Sequence, residues 1–84
     1  MKRDGIRIEK ITSRKAAELI ADFFGTDHVY STSERGTCAA ADARGRFWIP
    51  VKEGKDVILL PPSMETADDC MMIGYVTNFI TNSR

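Results

Sequence analysis

The sequence predicts an α+β domain, a small and mainly antiparallel sheet with two helices on one face, in the order β-α-β-β-β-β-α. Three observations carry that expectation. Apolar residues recur at helical spacing in two stretches, one near each end of the chain, and short runs of strand formers punctuated by turn signals lie between them. The 84 residues are enough for one sheet layered on helices, and too few for a deep two-lobed cleft, so residues 1–84 are read as a single domain.

The first element is residues 5–9, Gly-Ile-Arg-Ile-Glu. Side chains of a strand alternate, so Ile6 and Ile8 face one side while Arg7 and Glu9 face the other. A helix follows over residues 14–24, where Ala16, Leu19, Ile20, Phe23 and Phe24 form one stripe, Thr12 and Ser13 precede it and Gly25 stops it. Arg14 and Lys15 in its first turn oppose the macrodipole, so its stability must come from burying the stripe.

Residues 28–32 and 37–41 read as short strands around the polar turn 33–36. Asp42, Ala43, Arg44 and Gly45 then turn the chain into residues 46–52, which are rich in strand formers, so a hairpin is expected. Within it Pro50 lacks a donor, which predicts an edge strand or one irregular near its end; Phe47, Ile49 and Val51 compete with Trp48 for the core. After a turn at 53–56, residues 57–60 form an apolar run of the kind buried on both faces of a sheet, stopped by Pro61 and Pro62. The last helix is expected from about residues 63–65 to 81, burying Met72, Val76, Phe79 and Ile80. Gly74 inside it costs about 1 kcal/mol against alanine, and close packing on the sheet or the other helix is the expected return.

Twelve Lys and Arg balance twelve Asp and Glu, so no overall field favours nucleic acid, anionic lipid or an acidic imitation of DNA. The longest apolar runs are far short of a membrane span, and no apolar segment follows the first four residues to make a leader. With two cysteines, Cys38 and Cys70, a cytoplasmic, reduced protein with free thiols is expected.

Several segments fall in a familiar order: Gly5 to Glu9; a helix ending Asp22-Phe23-Phe24-Gly25-Thr26; Asp42-Ala43-Arg44-Gly45-Arg46-Phe47-Trp48; and residues 57–60 closing on Pro61-Pro62 before a helix. In these the chain resembles the N-terminal portion of the phage-associated amidoligases, carboxylate–amine ligases related in fold to glutamine synthetase. The family's chemistry uses ATP, with carboxylates holding magnesium on the phosphates. The resemblance places the family's first acid at Arg7, keeps the second as Glu9, and puts the acid expected at the start of the later strand at Val57, with Glu53 a loose survivor in the hairpin end. A permanent cation at Arg7 repels a metal ion. The expectation is therefore a degenerate or truncated relative without ligase activity, metal or cofactor.

Other chemistry is weaker. His28 and Cys38 on neighbouring strands would imitate a thiol–imidazole pair, but a turn histidine and a small buried thiol account for them. One His and two separated Cys do not make a structural zinc site. Arg44, Arg46 and Trp48, with Arg35 nearby, would suit stacking on nucleic acid, yet Trp48 as core and arginines as solvated turn residues is the plainer reading, and nucleic acid is disfavoured. Adjacent Met71 and Met72 cannot both be buried equally on one helix, which leaves one for a partner surface. The expected function is that of a small, non-enzymatic phage or mobile-element protein that binds another protein, or a second copy of itself, such as an inhibitor of a host defence complex of the anti-CRISPR type. The expected surface is the open sheet face and edge around Arg7, Glu9, Arg46, Trp48 and Lys52. Two alternatives stand beside it, a partial amidoligase-like subunit and a nucleic-acid-binding module.

Overall fold

The computed structural model describes residues 5–26, 29–31, 37–63 and 66–83. The elements are β1 (Ile6–Ile8), α1 (Ser13–Phe24), β2 (Val29–Ser31), β3 (Cys38–Ala41), β4 (Phe47–Glu53), β5 (Asp56–Leu60) and α2 (Ala67–Ser83). All strand pairs are antiparallel, and the five strands lie in the order β1-β5-β4-β3-β2. Fold class and element order are as the sequence predicts. His28, Thr32 and the turn at 33–36 lie outside the described residues, so the His28–Cys38 pairing does too.

Local chemistry sets the ends of α1. Thr12 caps it by accepting a hydrogen bond from Lys15 N on its hydroxyl at 3.1 Å, and Gly25 closes it in the left-handed region at φ 73°, donating to Ala21 and Asp22 carbonyls. No acidic residue sits in its first turn, so burial of Ala16, Ala17, Leu19, Ile20 and Ala21 is what holds it. The second helix starts later than its sequence suggests. Thr66 is its cap, accepting from Asp69 N at 3.1 Å.

Both helices pack on one face of the sheet. Ile8 of β1, Val57 and Leu59 of β5, Trp48 and Pro50 of β4 and Ala40 of β3 meet Leu19 and Ile20 of α1 and Val76 and Ile80 of α2 in one core. Trp48 is the largest wholly buried side chain, its ring 5.5 Å from that of Phe24, while Phe23 and Phe79 join the helices edge to face at 5.5 Å.

Three expectations are corrected. Of the two placements expected for Pro50 the edge is overturned, since β4 is the middle strand of the sheet, while the interruption of the strand stands. The β3–β4 register runs only through Ala40–Trp48 and Ala41–Phe47; at the next pair the Ser13 hydroxyl stands between the strands, accepting from Cys38 N at 2.8 Å and donating to the Pro50 carbonyl. The N–H and C=O of one strand residue point the same way, so the donor Pro50 lacks would have faced this gap. Secondly, residues 57–60 are not buried on both faces: Val57 and Leu59 are fully buried, whereas Ile58 and Leu60 are half-exposed. Thirdly, Gly74 packs on neither sheet nor helix; it is exposed, and a Cβ built there meets nothing within 4 Å.

Ser13→Ala removes the bridge and leaves the Cys38 N–H and Pro50 carbonyl facing one another's gap without water. Unfolding in urea should show a loss of about 2–3 kcal/mol, the cost of two stranded backbone groups. A loss below about 0.5 kcal/mol would mean that the strands close without the hydroxyl.

Candidate functional site

With both helices on one side, the other side of the sheet is bare among the described residues. Strand alternation places Arg7, Ile58 and Val51 in one row across β1, β5 and β4, Leu60 opposite Ile49 in the next, and Phe47 and Tyr30 opposite Ala41 and Ala39 on the β3 side. Ile49, Val51, Ile58 and Leu60 are half-buried against one another, and Tyr30 and Phe47 are 44% and 48% exposed. Their rings meet edge to face, centroids 5.4 Å apart. Val51, Glu53, Ile58 and Leu60 line a shallow hollow of about 290 Å³. Gly5 extends the face, since a Cβ there would collide with Ile58 Cγ2 and lie 3.1 Å from Leu60 Cδ2; its missing side chain lets both lean over the start of β1.

A charge pair borders this face. Arg7 Nη1 donates to Asp56 Oδ2 at 2.7 Å, and Lys10 N, from a residue at φ 57°, donates to Asp56 Oδ1 at 3.1 Å. The Lys10 amide, together with the Arg7 guanidinium and against a desolvation that opposes them, holds Asp56 below the usual carboxylate range. The partner of Arg7 is thus Asp56, while Glu9 is exposed just past the end of β1. Arg7 and Val57, the two positions where the amidoligase resemblance loses acids, face opposite sides: Arg7 stands opposite Ile58, and Val57 stands opposite Ile8 in the core. They do not make two halves of one former metal site. Among the described residues no group of three or more His, Cys, Asp or Glu is placed to hold an ion.

Trp48 and Arg46 leave the expected interaction surface. Asp42, itself buried, accepts on Oδ1 from Arg44 N at 2.8 Å and Arg46 N at 3.0 Å, and on Oδ2 from Arg46 Nε at 3.0 Å and Trp48 Nε1 at 3.1 Å. Arg46 continues to Asp69 of α2 at 3.3 Å, where Arg44 also approaches at 3.7 Å. The indole is wholly buried and the guanidinium is committed to two carboxylates, so neither is offered for stacking on a base. Lys52 is exposed, but its register partner is Val57, so it sits at the end of β4 on the helix side. Of the expected surface residues Arg7 belongs to the bare face, whereas Trp48, Arg46 and Lys52 do not.

Two features lie beyond the sequence expectations. Asp42, expected only as a turn residue, is a polar anchor, and its signal is an Asx-type turn with backbone donors two and four residues on and an indole six on. The cations are also sorted. Each described arginine is in an ion pair, whereas Lys10, Lys15, Lys52 and Lys55 enter no ion pair among the described residues and border two adjoining hollows of about 430 and 200 Å³ beside the start of α1.

Desolvation opposes the charge on Asp42, but the bonds from Trp48, the Arg46 and Arg44 amides and the Arg46 charge outweigh it and lower its pKa. A lowered carboxylate pKa contributes stability that is complete above the unfolded value of about 3.9 and is lost as pH falls through the folded value. Melting followed from pH 6 downward should therefore show acid loss below about pH 4, and Asp42→Asn should be less stable at pH 7 by about 2–4 kcal/mol with a shallower acid decline. Equal acid slopes for the two proteins would remove Asp42 from that role.

Comparison with known proteins returns no matching family model, no matching curated protein and no matching solved structure, so the reading of the bare face rests on its own geometry.

Proposed function

We propose that this chain works by binding another protein on the bare face of its sheet. The observation that carries the reading is an apolar face uncovered by either helix, with two half-exposed aromatic rings side by side at one end and an Arg–Asp pair at the other. Apolar surface of this kind, with aromatic anchors at the centre of contact and charge at the rim, is what a protein partner buries. Strand addition at an edge contributes little, because β1 and β2, the two edge strands, are three residues each. The partner's matching surface is apolar, with an opposite arrangement of charges to meet Arg7 and Asp56. A phage or mobile-element inhibitor of a host defence complex is the setting that such a small binding protein suits.

A second reading takes its support from the unpaired lysines beside α1, which would serve phosphate groups of a nucleic acid in place of the arginines and Trp48. The partial-ligase reading requires ATP with magnesium to bind the pure protein, which calorimetry reads directly.

Affinity capture from host lysate separates these. Wild type, a Tyr30→Ser/Phe47→Ser double variant and a Lys52→Ser/Lys55→Ser double variant serve as baits, all four positions being exposed so that the fold is expected to hold, as circular dichroism checks. The aromatic variant should lose its partner by a factor of ten or more, roughly the 1.4 kcal/mol that one good anchor supplies. Retention by the aromatic variant with loss by the lysine variant, reversed by salt, transfers the function to the basic end. Arg7→Glu is a poor probe, since it would set two carboxylates together at Asp56.

A further inference from the structure

The described lysines meet at one place. Lys10 comes from the connection between β1 and α1, Lys15 from the first turn of α1, Lys52 from β4 and Lys55 from the turn between β4 and β5. Together they border the adjoining hollows of about 430 and 200 Å³, which share Ile11, Thr12 and Lys55. All four are exposed, none enters an ion pair among the described residues, and no described Asp or Glu lines either hollow. Asp56, next to Lys55 in the chain, has its two oxygens taken by the Arg7 guanidinium and the Lys10 amide, and Glu18 pairs with Arg14. Like charges gathered without counter-ions repel one another, a cost that no contact among the described residues returns. Lys15 is the sharper clue. Thr12 is the cap of α1 and its hydroxyl accepts from Lys15 N, so residue 15 is the position where a glutamate would complete a capping box and suit the macrodipole; a lysine stands there instead. Lys10 is placed at similar cost, for at φ 57° it is the non-glycine residue held in the left-handed region among those described.

We propose that the larger hollow binds a compact anion made of several linked phosphate groups, held by Lys10, Lys15 and Lys55 with Lys52 at the adjoining end. An ammonium group is a point charge with donors in three directions on a long stem, which follows the oxygens of tetrahedral phosphates; planar carboxylates are better met by the fork of an arginine. The four cations come from four segments and border a concavity, so the negative charge that answers them is concentrated in one small group. A nucleic-acid strand spreads about one charge over each nucleotide and draws on aromatic platforms for its bases, and no aromatic side chain lines either hollow. With no carboxylate in the lining, nothing there shares a magnesium ion with the phosphates, so the ligand is taken as the free anion and magnesium competes for it. The proposal gives the lysines of the nucleic-acid reading a different ligand, and it does not rest on the bare sheet face.

The test is calorimetric titration of the full chain with inorganic triphosphate at low salt and without magnesium, beside thermal melting. Wild type should bind, melt at a higher temperature with triphosphate present, and lose affinity as salt is raised. Lys15→Glu completes the capping box and relieves repulsion, so it should melt higher than wild type yet bind triphosphate roughly tenfold or more weakly. That opposition of signs separates loss of a site from loss of fold. Lys55→Ser, at an exposed turn position, should weaken binding by a similar factor without lowering the melting temperature, and Tyr30→Ser/Phe47→Ser should bind as wild type does. A wild type that does not bind overturns the proposal, as does binding that Lys15→Glu and Lys55→Ser leave intact or that requires magnesium. Equal or tighter binding of a single-stranded oligonucleotide or of tetraglutamate, each matched in charge to the triphosphate, overturns it too.

Discussion

The Asp42 carboxylate accepts four hydrogen bonds, and the one from Trp48 Nε1 decides which side of the central strand is inside. Two of the others hold the turn between β3 and β4, so the indole is delivered to its donor position by the same group that shapes the hairpin. Once Trp48 is fixed inward, period-two alternation sends Phe47, Ile49 and Val51 outward without further choice. The bare apolar face is therefore a consequence of a buried polar contact on the opposite side. Arg46 carries the arrangement to Asp69 and so ties the start of α2 to the same hairpin.

The second fixed point is the Ser13 hydroxyl between Cys38 and Pro50. A proline in a middle strand removes a ladder donor, and ordinarily that excludes it from such a place. Here the first residue of α1 fills the gap, so the flaw in the ladder becomes the joint between helix layer and sheet. Asp42 and Ser13 grip the β3–β4 pair from two positions along its length. Between them the core side is closed, and what is left to meet a partner is the other side of the sheet.

Charge follows the same division. The described arginines are held in internal pairs: Arg7 at the border of the sheet face, Arg14 along its helix, Arg44 and Arg46 at the hairpin. Such pairs at the surface contribute little stability, but they orient the loops that carry them. The described lysines are left to solvent beside the start of α1, which is why a neutral chain still has a basic end.

Element order, the α1 boundaries at Thr12 and Gly25 and the α+β class were legible in the sequence because each depends on neighbours within a turn or two. Apolar spacing distinguishes helix from strand without any knowledge of the partner layer. The candidate surface was legible only in kind. Residues 46–52 are apolar on both alternations, and nothing local says whether Trp48 or Phe47 and Ile49 go inside; the Asp42–indole bond and the helix layer settle it. Nor does spacing reveal that Arg7 pairs with Asp56, 49 residues away, that Pro50 is tolerated because a serine from another element stands beside it, or that Gly74 faces open space. The sequence by itself determined the pieces and their periods, since those are short-range properties of the backbone. Tertiary structure decided which face of each piece is spare, because a strand's alternation fixes that faces differ and only long-range contacts choose between them.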